Sequence, residues 1–316
     1  MKKELKICVI GLGSIGKRHV KNLIKVLGER GIRYEIDALR SRETSLPDEF
    51  MEIIRCQYYS AEELPNDYDI VFVTNPTSCH YGTIKEVLAK TKHMFIEKPV
   101  FDSLCYDLKS LSLRDEGTYY VACPLRHKSI MKYVKQEILV KENILSARVI
   151  SSSYLPSWRK GIDYRKTYSS RSDMGGGATR DLIHEWDYIL YLFGSPQKVF
   201  HIQKHLSNLE IECEDISVYI AEYPKMILEM HLDYIGHKTE RILQIFAEGK
   251  RIDVDLIADK ISEYTDNVLT FERIFQKEDF YINELEYFIN CIEKREENIN
   301  TIADAYNTLR VAIAEE

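Results

Sequence analysis

Gly11-Leu12-Gly13-Ser14-Ile15-Gly16 stands directly after the apolar run Ile7-Cys8-Val9-Ile10 and directly before a stretch with helical spacing. A Gly-x-Gly-x-x-Gly in that context constrains the fold more than any other feature of the chain. Gly11 permits a tight turn out of a strand, Gly13 lets backbone approach a pyrophosphate, and Gly16 lets helix and strand pack closely. Free N–H groups at Ser14 and Ile15 would meet the phosphate charge. The plain alternative is an ordinary βα turn. Around it, residues 6–10, 34–39, 70–74, 93–96 and 119–122 read as short strands, with helical patterns at 15–27, 83–89 and 104–113. That alternation belongs to a parallel sheet covered by helices, an α/β fold.

At 316 residues the chain is too long for one ordinary core. The βα alternation ends at Cys123-Pro124, so the expected division is 1–122, a dinucleotide-binding domain, and 123–316, a second α/β domain. After a helix near 130–140, strands at 147–153, 199–205, 216–223, 226–232 and 241–247 follow one another with few helices between them. Such a run predicts a largely antiparallel sheet. Helices at 284–293 and 302–314 close the chain, and the long irregular stretch 155–177 reads as a functional loop or a disordered one.

Composition narrows the function classes. A net charge of −7 leaves no cationic excess for nucleic acid or an anionic membrane as the main partner. The seven cysteines are scattered without a Cys-x-x-Cys pair, which predicts free thiols in a reducing compartment and neither a disulfide frame nor a zinc site. Met1-Lys2-Lys3 and the run after it are too short for a leader, no small-residue cleavage site follows, and no stretch has the length of a membrane span. The expected location is the cytoplasm.

The end of the second strand bears on the choice between NAD and NADP. An NAD site places an acidic residue there for the ribose 2′-hydroxyl. Here Glu35-Ile36-Asp37-Ala38-Leu39 puts Asp37 inside the strand, and the exit is Arg40-Ser41-Arg42. Two guanidinium groups and a hydroxyl suit a 2′-phosphate, so NADP(H) is favoured and NAD(H) is the alternative; two solvated arginines are the plain one.

Three further segments carry chemistry. Thr74-Asn75-Pro76-Thr77 leaves a strand at its carboxyl end, where open α/β sheets bind ligands, so Asn75, Pro76, Thr77 and the following His80 join the cofactor set; a helix cap or a packing role is the other reading. Glu97-Lys98-Pro99 closes the run Met94-Phe95-Ile96. A partly desolvated lysine there is a candidate acid/base, and Glu97 beside it is grouped with the cofactor residues; an exposed ion pair shows the same residues. Last, the run Gly175-Gly176-Gly177 opens an expected helix that continues to Phe193 and stops at Gly194. Leu182, Trp186, Ile189 and Phe193 share its packed stripe, while Asp181, His184 and Tyr188 lie opposite. Asp-x-x-His sets a carboxylate beside an imidazole; a solvated polar face is the simpler reading, and no further His or Cys at ligand spacing makes it a metal site.

Together, in this order and spacing, these segments resemble the glucose–fructose oxidoreductase and inositol dehydrogenase family, Gfo/Idh/MocA, over essentially the whole chain. The resemblance implies a Rossmann domain followed by an α/β domain with an open sheet that mediates homodimers or homotetramers. It implies hydride transfer between NAD(P) and a hydroxyl/ketone carbon of a sugar, cyclitol or nucleotide sugar. The family's catalytic lysine falls on Lys98, its Lys-Pro bond being often cis, and its Asp and His fall on Asp181 and His184. Many members separate that pair by four residues, and here it is three. Trp158, Arg159, Tyr164, Arg165 and Tyr168 look like a subgroup associated with bacterial surface-sugar pathways; physically they offer aromatic platforms for a sugar face and arginines for a carboxylate or phosphate, or else a core-edge or interface loop. Lys98 is then expected to exchange the hydroxyl proton, assisted by His184, with Asp181 orienting the imidazole. A nucleotide-sensing regulator on the same fold and a lyase or glycosidase using bound NAD transiently are the rival functions; the three proton-transfer groups favour the dehydrogenase.

Overall fold

The computed structural model describes residues 4–43 and 45–314; Met1-Lys2-Lys3, weighed above as a leader, lie outside them. The chain divides into two compact units, Met1–Cys123 with Asp279–Tyr306, and Pro124–Glu278 with Asn307–Glu316.

In the first unit the buried apolar runs become strands and the amphipathic stretches between them helices: β1 (Glu4–Ile10), α1 (Ser14–Glu29), β2 (Arg33–Leu39), α2 (Asp48–Met51), β3 (Ile54–Tyr58), β4 (Tyr68–Val73), α3 (His80–Val87), β5 (Thr91–Ile96) and β6 (Tyr119–Val121). The six strands form one sheet in the order β3-β2-β1-β4-β5-β6, parallel at every pairing. The winding reverses between β1 and β4, the point beyond whose carboxyl ends such sheets bind ligands. The stripe Val20, Leu23, Val26 and Leu27 of α1 packs into the core with Ile7, Val9, Phe72 and Phe95.

Two local readings are corrected here. Residues 104–113 form no α-helix, only a short 3-10 turn at Leu108–Ser110. The Asp107 carboxylate accepts from the Lys109 N–H at 2.9 Å, a side-chain bond that competes with helix, and Tyr106 stacks on Tyr81 at 4.4 Å between ring centres. Conversely β3 escaped notice because Arg55 and Gln57 interrupt its apolar positions at the sheet edge.

The second unit contains α4 (Ser129–Tyr133), which runs on as a π-helical turn at Val134–Ile138, then β7 (Ile144–Tyr154), α5 (Ala178–Asp181), α6 (His184–Phe193), β8 (Lys198–Lys204), β9 (Ile216–Glu222), β10 (Ile227–Asp233), β11 (Ile235–Ala247), β12 (Lys250–Asp255), β13 (Lys260–Thr265) and β14 (Val268–Ile274). Its eight-stranded sheet has the order β14-β13-β12-β11-β7-β10-β9-β8, with β7–β10 its one parallel pairing. The unexpected strands β12 and β13 are rich in charge, because only alternate residues such as Ile252, Val254 and Ile261 face inward, and β14, also unexpected, is exposed along its whole length. Trp186 of α6 meets Tyr219 edge-on at 5.2 Å on the buried face, while Phe200, Ile202, Ile220 and Ile227 remain exposed on strands β8 to β10.

The chain closes with α7 (Phe280–Ile292) and α8 (Ile302–Ile313). Residues 279–306 return to the first unit, which corrects the single boundary expected near 122. The cause is the stripe Leu285, Phe288 and Ile289, which enters the same core as α1. Among the described residues no helix is long and apolar enough to cross a membrane, and none of the seven cysteines forms a disulfide.

Candidate functional site

In the first unit the glycine loop is shaped by exclusion. Gly11 has φ +91°, and a Cβ there would stand 2.7 Å from the Asn75 nitrogen. A Cβ on Gly16 would lie 2.1 Å from the Gly11 carbonyl oxygen, whereas one on Gly13 would meet nothing within 4 Å. Two glycines therefore close the loop against itself and the end of β4, and the third leaves space above it. The Thr74 hydroxyl donates to the Gly11 carbonyl at 2.6 Å and locks the two loops together. Helix α1 starts at Ser14 with no side-chain cap and no acidic residue in its first turn, so its leading N–H groups suit an anion. Asn75 donates to the Thr83 hydroxyl at 2.8 Å, but its buried Oδ1 meets no donor among the described residues. These features fit a dinucleotide held by Gly11, Gly13, Ser14, Ile15, Gly16 and Asn75. Pro76 is exposed and Thr77 is buried in the short turn that follows.

Asp37 does lie within the sheet. Its carboxylate accepts from Arg55 at 3.0 and 2.7 Å and from the Tyr68 hydroxyl at 2.8 Å. Beyond β2, Arg40 donates to Gln57 on β3 at 2.6 Å, and Ser41 and Arg42 are exposed.

Lys98 is half-buried just past β5, and its peptide bond to Pro99 is cis. Glu97 is not a cofactor-lining group. One of its oxygens stands 2.5 Å from His19 Nε2 and the other accepts from the Lys98 N–H at 3.1 Å. Burial pushes this carboxyl up, but the hydrogen bond and charge of His19, with the charge of Lys98, outweigh it and hold the group below its ordinary value. Glu97 therefore anchors the turn that presents Lys98. His19 itself is fully buried, 4.8 Å from the ring of Phe95. It escaped the sequence reading, although its signal was there: a histidine inside the stripe Gly16, Val20, Leu23 of α1. His80 is likewise corrected. Its ring nitrogens lie 2.9 Å from the Asn75 carbonyl and 3.1 Å from those of Pro99 and Val100, so it is a buried strut between two loops.

In the second unit the expected single helix is two. Ile183 N–H bonds back three residues to Arg180 and Glu185 N–H three to Leu182, a tightened stretch that separates α5 from α6. Asp181, on α5, is buried and accepts from the hydroxyls of Tyr168, Ser169 (2.7 Å) and Tyr234 (3.2 Å). Trp158 meets Tyr234 edge-on at 5.2 Å, and the Arg159 guanidinium lies 5.6 Å from the centre of the Tyr168 ring. Trp158, Arg159 and Tyr168 thus gather around Asp181. Tyr164 and Arg165 do not: Tyr164 accepts from the Glu210 N–H at 3.1 Å, and Arg165 is matched by Asp163 at 2.9 Å and Glu210 at 3.1 Å. Arg165 is therefore already neutralised and is a poor anion receptor.

At the start of α6 the carboxylate beside His184 is Glu185, with Oε1 3.1 Å from Nε2, and Arg241 Nη2 from β11 lies 2.7 Å from the same nitrogen. Tyr188, expected on a polar face, is fully buried, and burial with the Glu185 charge holds its hydroxyl well above the ordinary range. Asp187 forms a buried two-bond pair with Arg126 at 2.9 and 2.7 Å. Among the functional groups of this unit, Glu185 and Arg241 were the ones sequence reasoning did not find.

Residues 5–111, which carry the glycine loop and Glu97-Lys98-Pro99, match GFO_IDH_MocA, the oxidoreductase family with an NAD-binding Rossmann fold. That match lies within the Rossmann part of the chain, and it is there that the chain is similar to the Gfo/Idh/MocA family. It is 31% identical over 199 residues to the uncharacterized oxidoreductase YrbE of Bacillus subtilis, covering 62% of this chain and 55% of that one. It is 25% identical to the glucose-6-phosphate 3-dehydrogenase of the same organism, covering 70% and 63%. The chain thus spans less than two thirds of the length of these two relatives. The fold also matches WlbA dehydrogenase from Bordetella pertussis in complex with NADH and UDP-GlcNAcA, with TM-score 0.78, 16% identity, and 98% and 95% of the two chains covered.

Proposed function

We propose that this protein is a nicotinamide-dependent oxidoreductase moving hydride to or from a hydroxyl/ketone carbon of a sugar, cyclitol or nucleotide-sugar derivative. The observation that carries the reading is at one end of one sheet. The loops after β1, β4 and β5 bring the glycine cradle, Asn75 and a half-buried, backbone-anchored Lys98 to the same carboxyl edge. When bound, the nicotinamide supplies the hydride chemistry. Lys98 exchanges the hydroxyl proton with the help of His184, Asp181 holds Tyr168 rigid, and Trp158 and Arg159 offer an aromatic face and a cation to the sugar derivative. The two dehydrogenases compared above support a phosphorylated or nucleotide-linked sugar; surface-polysaccharide synthesis is the biological setting proposed with it.

Arg40, Ser41 and Arg42, with Asp37 consumed by Arg55 and Tyr68, favour NADP(H) over NAD(H). The exposed Phe200, Ile202, Ile220 and Ile227 on the sheet of the second unit favour a homodimer or homotetramer, and seven cysteines outside any disulfide favour the cytoplasm. The test is nicotinamide absorbance with NADP+ and NAD+ against a panel of sugars, sugar phosphates, cyclitols and nucleotide sugars. Turnover is expected with one class, faster with NADP+, and Lys98→Ala is expected to lower kcat about 10²–10⁴-fold with cofactor affinity kept. Near-normal turnover in Lys98→Ala overturns the assignment of Lys98, and redox silence across the whole panel overturns the oxidoreductase reading.

A further inference from the structure

Three side chains of the second unit meet at the start of α6. Glu185 has no exposure to solvent. Arg241 Nε stands 2.8 Å from Glu185 Oε1, and Arg241 Nη2 stands 2.7 Å from His184 Nε2. Glu185 Oε1 is also 3.1 Å from that ring nitrogen. Burial pushes the Glu185 carboxyl up, but the charge of Arg241 leads the effects that reverse this and hold it at about 2, so it is a carboxylate.

The tautomer of His184 follows from the chemistry of its neighbour. A guanidinium carries only donors and stays protonated at any pH a protein tolerates. A ring nitrogen 2.7 Å from it must therefore present a lone pair. A proton on Nε2 would set two N–H groups against each other at hydrogen-bond distance. Glu185 then serves the guanidinium, whose charge it balances, and the imidazole takes its proton on Nδ1.

We propose that Arg241, anchored by Glu185, is a positioning residue for His184, which it fixes as the neutral Nδ1–H tautomer. His184 therefore enters the reaction as a hydrogen-bond donor and does not accept the hydroxyl proton. The catalytic part rests on the function proposed above; the tautomer does not.

The experiment is nitrogen-15 NMR of the imidazole groups in the full-length protein without substrate, with the His184 signals identified by their loss in His184→Gln. Expected is an unprotonated Nε2 and a protonated Nδ1. Arg241→Met is expected to release the ring to the Nε2–H form or a mixture and to lower kcat about 10²-fold with little change in KM. Arg241→Lys, which keeps a cationic donor, is expected to restore the tautomer and part of the rate. Removing Arg241 alone leaves Glu185 buried and unpaired, so the double variant Arg241→Met with Glu185→Leu repeats the measurement if the single one does not fold. An imidazolium or Nε2–H form in the unaltered protein, or an unchanged tautomer in Arg241→Met or the double variant, overturns the proposal. An inert protein with the expected tautomer overturns the oxidoreductase reading and leaves the tautomer assignment standing.

Discussion

The two units build their sites from different materials. In the first, the working surface is mostly backbone: Gly11 and Gly16 keep it by having no side chain, and the α1 amides and the loops after β4 and β5 supply the polar groups. In the second, the site consists of side chains joined in pairs and triads: Asp181 with three hydroxyls, Glu185 with Arg241 and His184. A backbone site is vulnerable to added atoms, and a side-chain site to a removed partner. The His19–Glu97 pair shows that the first unit still depends on one buried polar contact, placed under the lysine where backbone alone does not hold the turn.

Substitutions that break or sharpen this contrast differ in size. His19→Leu has the largest expected effect on stability, about 3–5 kcal/mol, because it leaves a buried carboxylate without its partner. The pH dependence has a definite sign. Glu97 is held below its ordinary value of 4.5, so the pair's contribution is fully present above that pH and is lost as pH falls through the lower folded value. Urea unfolding across a pH series should show the gap between the two proteins narrowing on acidification. A constant gap breaks the assignment of the pair as a charged anchor.

Gly16→Ala comes next, about 1–3 kcal/mol in thermal unfolding together with loss of dinucleotide binding in a fluorescence titration, since its Cβ strikes backbone. Gly13→Ala should fold as well as the parent, because its Cβ meets no protein atom. Equal behaviour of the two variants would erase the claim that the loop is shaped by exclusion.

In the second unit, Tyr168→Phe removes one of the three hydroxyls on Asp181 and should cost about 1–2 kcal/mol, read as a shift in the urea midpoint with KM nearly unchanged. Arg165→Ala is the smallest: its guanidinium is exposed and matched by Asp163 and Glu210, so Tm and substrate KM should both stay where they were. A rise in KM would return Arg165 to the substrate set.

How much of this was legible depends on sequence separation. The βα alternation, the glycine loop and Lys98 lie within runs whose meaning is local, so periodicity and turn chemistry suffice. The charged strands β12 and β13 and the edge strand β3 were missed because an apolar run is the wrong signal for a half-exposed strand. Asp181 was read as a catalytic candidate on the polar face of a helix, yet it is buried and its partners are Tyr168, Ser169 and Tyr234; a helical wheel sees only residues three and four positions away.

By itself the sequence determined that a parallel sheet opens with a glycine-rich turn, that a lysine follows one of its strands, and that a glycine run leads an Asp and a His into helix. These depend on steric rules acting over a few residues. Only the tertiary structure decided that α7 returns to the first core, that His19 and Glu97 meet beneath Lys98, and that Arg241 of β11 reaches His184. Those outcomes depend on burial: each polar group taken from water must find a partner, and the partner is whichever residue the sheet brings within about 3 Å.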